Sequence, residues 1–203
     1  MKKLLAAVLA AMMIVSLAAC GNNKNEQSSS AASSDVSPLP PEDGSSASEL
    51  VEQDGAVDAK LTEIHDALKK AYGEDYIPSQ AIDATMLAEV YGVDPANVDS
   101  FVAEGPLMST HVDTFIGIRA KDGKAGAVEQ ELTAYRDKLV KDSLQYPMNA
   151  EKVAASKVLR EGDYVFFVML GAIGDEEKTD DMAKFAEDQV KIGLDKIKEV
   201  LGK

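Results

Sequence analysis

The clearest periodic signal in the chain runs through Val57, Leu61, Ile64, Leu68 and Tyr72, spaced four, three, four and four residues apart. That is one face of an amphipathic helix, and Gly73 is placed to end it. His65 sits beside the stripe, where the pattern predicts a partly exposed helix histidine rather than a ligand. Asp83 is a side chain suited to capping a short helix from Ala84 to Tyr91, stopped by Gly92. Asp94-Pro95 opens a further turn, with proline in the first helical position. Ser100 to Glu104 reads as a short strand broken by Gly105-Pro106.

From Ser109 to Ala120 the period changes to two, which predicts a strand. Val112, Thr114, Ile116 and Ile118 are expected on its core face, with His111, Asp113, Phe115, Gly117 and Arg119 on the other. Asp122-Gly123 makes the next turn. A helix is expected from Ala125 to about Gln145, burying Val128, Leu132, Tyr135 and Leu139 and ended by Pro147; Asn149 then caps a short turn through Ala155. Lys157 to Arg160 and Tyr164 to Leu170 flank Glu161-Gly162-Asp163, a hairpin signal. The run Val165 to Leu170 is apolar on both faces and predicts a central strand covered from both sides. Gly171 to Lys178 is a loop, after which Thr179 or Asp180 caps a last helix to about Leu201. Its buried stripe is Ala186, Val190, Leu194, Ile197 and Leu201. The order ends in two strand-strand-helix units. It predicts an α+β fold, an antiparallel sheet of about four strands packed against helices in two layers, preceded by a disordered N-terminal linker.

Upstream the pattern is different in kind. Lys2 and Lys3 precede an apolar run from Leu4 to Leu17, followed by Ala18, Ala19, Cys20 and Gly21. The run is shorter than the roughly 20 residues a membrane-spanning helix requires. It has the charge, apolar core and small-residue flank of a cleaved signal. Cys20, the one cysteine in the chain, directly follows Leu17-Ala18-Ala19. This stretch resembles the lipobox of bacterial lipoproteins. The resemblance implies a signal peptide over residues 1–19, a diacylglyceryl group on the Cys20 thiol, and a mature chain held to the extracytoplasmic face of the cell membrane by that lipid. Residues 20–50, rich in Ser, Asn and Pro, form a linker with a coil reach of about 30 Å. Residues 51–203 then form one domain of a size that buries its own core.

Charge narrows the partners. The net charge of −14 becomes −16 when Lys2 and Lys3 leave with the leader. Such a chain is repelled by nucleic acid and by an anionic lipid surface. With a single cysteine at the anchor, no disulfide forms within the domain.

The segments Ser109-Thr110-His111-Val112-Asp113-Thr114-Phe115, Tyr135-Arg136-Asp137, Gln145-Tyr146-Pro147 and Gly162-Asp163-Tyr164-Val165 resemble domain of unknown function 4358, found in small lipoproteins of Gram-positive anaerobes. The resemblance runs from about Leu61 to Gly174. It implies a location and a domain extent, and brings no activity, cofactor or catalytic residue.

Three chemistries are suggested by local spacing. On one strand face, Ser109, His111 and Asp113 have the composition of a nucleophilic triad. Residues two apart on a strand lie about 7 Å apart, however, and Ser109 is too short to close that gap. His111 and Asp113 alone are chemically suited to bind a ligand or a metal ion, given one more donor. Gly171 to Gly174 before Lys178-Thr179 resembles a phosphate loop, but Glu177 stands where glycine is required and the neighbouring acids repel phosphate. The same acidic loop lacks the alternating ligands of a calcium hand. Tyr135, Arg136, Asp137 and Tyr146 are candidates to line a groove, with Tyr135 as core first.

The expectation is therefore a lipid-anchored, non-enzymatic domain that needs no cofactor and binds a protein, envelope polymer or small ligand. The alternative is a small metal-dependent or hydrolytic envelope enzyme centred on His111 and Asp113.

Overall fold

A computed structural model describes residues 57–141, 145–175, 177 and 179–203. The expected signal peptide, the lipidation site at Cys20 and the expected linker lie outside the described residues.

Helix α1 (Ala59–Tyr72) begins where Asp58 accepts hydrogen bonds from the N–H groups of Lys60 and Leu61, and ends at Gly73 with φ 58°. The stripe Leu61, Ile64, Leu68 and Tyr72 is buried as its period requires. The same Asp58 takes Arg119 Nη1 at 2.9 Å and the Tyr164 hydroxyl at 3.2 Å, while its N–H donates to Ser100 Oγ. The start of the helix is thereby tied to three strands of the sheet.

The strands are β1 (Gln80–Ala81), β2 (Val98–Gly105), β3 (Thr114–Ala120), β4 (Lys157–Glu161) and β5 (Tyr164–Met169). They pair antiparallel throughout, in the order β1-β2-β3-β5-β4. The sheet thus has five strands rather than about four. The extra one, β1, has two residues and too little pattern to be read. The fold is α+β, and β5 is an interior strand as its doubly apolar sequence requires.

Helices α2 (Ala84–Glu89), α3 (Ala125–Lys141), α4 (Ala150–Ala155) and α5 (Met182–Val200) complete the fold. α1 and α5 cover one face of the sheet, with Phe115, Phe166 and Val168 beneath them. α2 and α3 cover the other, over Phe101, Ile116, Ile118, Val165 and Phe167. The layers number three, not the expected two. Consequently β3 is buried on both sides: Phe115 is as buried as Ile116 and Ile118. A period of two in the sequence marked two core faces of different size, not one core and one solvent face.

Other boundaries differ too: α2 ends at Glu89 rather than Tyr91, α3 at Lys141 rather than about Gln145, and β2 starts at Val98 rather than Ser100. β3 starts at Thr114, so Ser109 to Asp113 are a loop, turned by His111 N–H donating to Met108 O. The last helix is capped by Asp181, which accepts from the Lys184 N–H, in place of Thr179 or Asp180.

Between the two helices of the first face, the Tyr72 hydroxyl enters the backbone ladder of α5. It donates to Gln189 O at 2.8 Å and accepts from Gly193 N–H at 2.9 Å. These two groups are an i, i−4 pair, so the hydroxyl stands within one helical hydrogen bond. Only glycine permits this, because a Cβ on residue 193 would lie 2.7 Å from that oxygen.

Candidate functional site

One end of the sheet gathers the C-terminal end of β2 (Gly105), the N-terminal end of β3 (Thr114), the C-terminal end of β5 (Met169) and the N-terminal end of β4 (Lys157). The connections leaving there are 106–113, 145–156 and 170–181. Each of the sequence candidates His111, Asp113 and Tyr146 lies in one of them.

Asp113 closes the first connection and is fully buried. Opposite it, Lys152 of α4 is also buried and donates from Nζ to Asp113 Oδ1 at 2.7 Å and to Gly171 O at 2.6 Å. One ammonium therefore joins the three connections. Burial pushes the Asp113 carboxyl above its ordinary range, and the Lys152 charge and hydrogen bond offset only part of that. Gly171 is required where it stands. Its φ is 119°, and a Cβ there would lie 2.6 Å from Gln189 Cβ.

Asn149 stands at the N-cap position of α4, as expected, but makes no capping bond with its side chain. Its Nδ2 donates instead to Thr110 O at 2.9 Å, pinning the second connection to the first. Since Nδ2 faces a carbonyl, Oδ1 is fixed as the oxygen. Among the described residues, three buried side-chain atoms then have no hydrogen-bond partner: His111 Nδ1, Asp113 Oδ2 and Asn149 Oδ1. They belong to two facing segments, 111–113 and 149. His111 Nδ1 and Asp113 Oδ2 are 4.0 Å apart, beyond a direct hydrogen bond.

The pair expected to hold a ligand or metal is thus brought together, but in a loop. Ser109 is exposed in the turn, and no shared strand face exists to align a triad. The donor set suits a metal ion poorly, because the Lys152 ammonium already holds the Asp113 carboxylate and repels a second cation. Among the described residues, no group of three or more His, Cys, Asp or Glu is placed to bind a metal ion.

Sequence reasoning missed a second buried cluster on β2. Glu104 accepts from Lys69 Nζ at 2.9 Å and from the Tyr76 hydroxyl at 3.1 Å, and lies 3.0 Å from His65 Nε2. Far from being partly exposed, His65 is buried and stacked on Phe115. Burial raises the Glu104 carboxyl, but the bonds from His65 and Lys69 outweigh it and hold the group below its ordinary value. The four side chains satisfy one another, so this cluster is structural. At the opposite end of the sheet, a shallow groove of about 460 Å³ is lined by Asp99, Arg119, Lys121, Asp122, Lys124 and Asp163.

The groove expected along Tyr135, Arg136, Asp137 and Tyr146 divides. Tyr135 packs between Tyr91 and Phe167 in the core. Arg136 donates to Ser156 O and Ala154 O at the end of α4. Tyr146 is exposed.

That exposure is shared. Leu107 (74%), Met108 (60%), Tyr146 (51%) and Met148 (53%) are the most solvent-exposed large apolar side chains of this end, on two loops joined by the Asn149–Thr110 bond. Neither 106–112 nor 145–150 contains a charged residue, in a chain where 28% of residues are charged. The three orphaned polar atoms belong to these same two loops or their immediate ends.

Residues 71–170 match the model of a family described as Domain of unknown function (DUF4358). The matched stretch is an uncharacterised domain that includes His111, Asp113, Asn149 and Lys152. It omits α5 and nearly all of α1, the two helices that cover one face of the sheet. Comparison with curated proteins and with solved structures gave no match.

Proposed function

We propose that the chain is a lipid-anchored lipoprotein on the extracytoplasmic face of a cell membrane, and that its domain binds a protein or envelope polymer through the loop end of the sheet. The anchor rests on the sequence alone: the short apolar leader and Cys20 directly after Leu17-Ala18-Ala19. Among the described residues, no helix is long and apolar enough to cross a membrane. The binding role rests on one observation. Leu107, Met108, Tyr146 and Met148 stand exposed together on two uncharged loops of a strongly acidic chain. Exposed apolar side chains grouped in this way mark an interaction surface rather than a solvated one. Methionine suits such a surface because its side chain adapts to the partner's shape.

Labelling of growing cells with a radioactive fatty acid tests the anchor. The wild-type protein is expected to carry label and to be cleaved by protease added outside intact protoplasts, and Cys20→Ala to carry none. An unlabelled wild-type chain in the cytosol would contradict the reading.

A second reading, a hydrolytic or metal-dependent enzyme, is favoured by the juxtaposition of His111 with Asp113. The buried Lys152 weighs against its metal form, for the electrostatic reason given above. A stoichiometric metal in purified protein, lost in His111→Ala, would establish the metal-dependent form.

A further inference from the structure

His111 Nδ1 and Asp113 Oδ2 lie 4.0 Å apart, Asn149 is bonded to Thr110 beside them, and the hydrogen-bonding capacities of the three orphaned atoms fit together. Asp113 Oδ2 and Asn149 Oδ1 accept only. His111 Nδ1 donates or accepts according to tautomer. Leaving all three unmade would cost the desolvation of each buried group with nothing gained in return. Lys152 Nζ gives two of its three hydrogens to Asp113 Oδ1 and Gly171 O, so it can meet no more than one of these needs.

We propose that these three atoms hold one neutral, hydroxyl-sized group, a water molecule in the resting protein, which locks His111 as the Nδ1–H tautomer. The group accepts from His111 Nδ1–H and gives its two hydrogens to Asp113 Oδ2 and Asn149 Oδ1. The 4.0 Å between His111 Nδ1 and Asp113 Oδ2 is spanned by one oxygen about 2.8 Å from each. Neutrality is imposed by Lys152, which already balances the carboxylate. An ammonium ligand or a metal ion would meet that charge across the same carboxylate. A buried water with three partners is the usual occupant of such a polar hole.

The consequence reaches the surface. The His111 side chain is 24% exposed although Nδ1 is buried, so the exposed edge is away from Nδ1. With the proton fixed on Nδ1, Nε2 keeps its lone pair. His111 then offers a hydrogen-bond acceptor beside Leu107 and Met108, and the partner is selected for an N–H or O–H at that point. This last step rests on the binding role proposed above; the bound group and the tautomer do not.

The test uses the isolated, delipidated chain and needs no partner. Long-range proton–nitrogen correlation spectra of the neutral protein report the tautomer of each of the two histidines, and His111→Gln assigns the signal by its loss. The Nδ1–H form is expected at His111. A high-resolution crystal structure is expected to place one solvent oxygen within 3.2 Å of all three atoms, unchanged by a chelator. In Asn149→Leu the oxygen is expected to be lost and the tautomer to become mixed. If that variant does not fold, the wild-type spectrum and density decide alone. An Nε2–H signal in the wild type, direct closure of His111 onto Asp113, or metal density between the three atoms would overturn the proposal. Failure to find any partner would count against the binding role and leave the site standing.

Discussion

Lys152 Nζ lies 2.7 Å from Asp113 Oδ1, and neither side chain reaches solvent to any useful extent. Two segments 39 residues apart are held at the end of the sheet by this ion pair. Lys152→Met leaves a buried carboxylate with no counter-charge, and is expected to cost about 3–5 kcal/mol. Asp113→Asn combined with Lys152→Met removes both charges and is expected to recover more than half of that loss. Urea unfolding of the two single variants and the double variant measures the coupling. Additive losses would show that the two side chains do not depend on each other.

The Glu104 cluster sets the acid limb of stability. Its carboxyl is held below the ordinary value of about 4.3, so the folded state binds fewer protons there than the unfolded chain. The stabilisation is complete above that value and is lost as pH falls through the folded pKa. Asp113 acts in the opposite direction. Its pKa is raised, so its ionisation on going from the unfolded value up to the folded one costs stability. Glu104→Gln is expected to cost about 2–3 kcal/mol at pH 7 and to flatten the loss of stability below pH 5. Thermal melts from pH 3 to 7 check both. A variant as acid-sensitive as wild type would refute the assignment.

Tyr72 and Gly193 are expected to behave as one unit. Gly193→Ala places a methyl 2.7 Å from the Tyr72 oxygen and should destabilise by about 1–3 kcal/mol. Tyr72→Phe removes that oxygen, so Ala at 193 should cost less in its presence. The double-mutant cycle by denaturant melts gives the number, and an interaction energy of zero would contradict the inserted hydroxyl.

Much of this fold was legible because burial follows period. The stripes of α1 and α5, the Asp83 cap and the β4–β5 hairpin all stand where the sequence places them. The third layer was hidden in β3. Phe115 and Ile116 are both apolar, and Gly117 carries no side chain to declare its face. The loop 109–113 imitates a strand because Ser109, His111 and Asp113 happen to alternate with Thr110 and Val112. Of the site, His111 and Asp113 were visible as residue types two apart. Lys152, Asn149 and Gly171 were not, because only tertiary packing brings positions 19 or 39 residues apart into contact. The exposure of Leu107, Met108, Tyr146 and Met148 was equally invisible, since the sequence offers no reason for such side chains to stay outside the core.

Those four side chains should matter for binding and not for folding. Leu107→Glu with Met148→Glu changes exposed positions only, so its unfolding midpoint should lie within experimental error of wild type. A large drop in stability would show that the patch is packed in solution.

The most direct measurement is site-specific photo-crosslinking in cells that make the full chain, with the photoreactive residue at position 107, 148 or 192. Position 192 serves as control, because Ile192 is exposed on α5 and belongs to neither loop. Discrete adducts from 107 and 148, absent from 192 and abolished at 107 by Met148→Glu, are the predicted result. Equal labelling from all three positions, or none from the two loops, would contradict a binding surface at this end of the sheet.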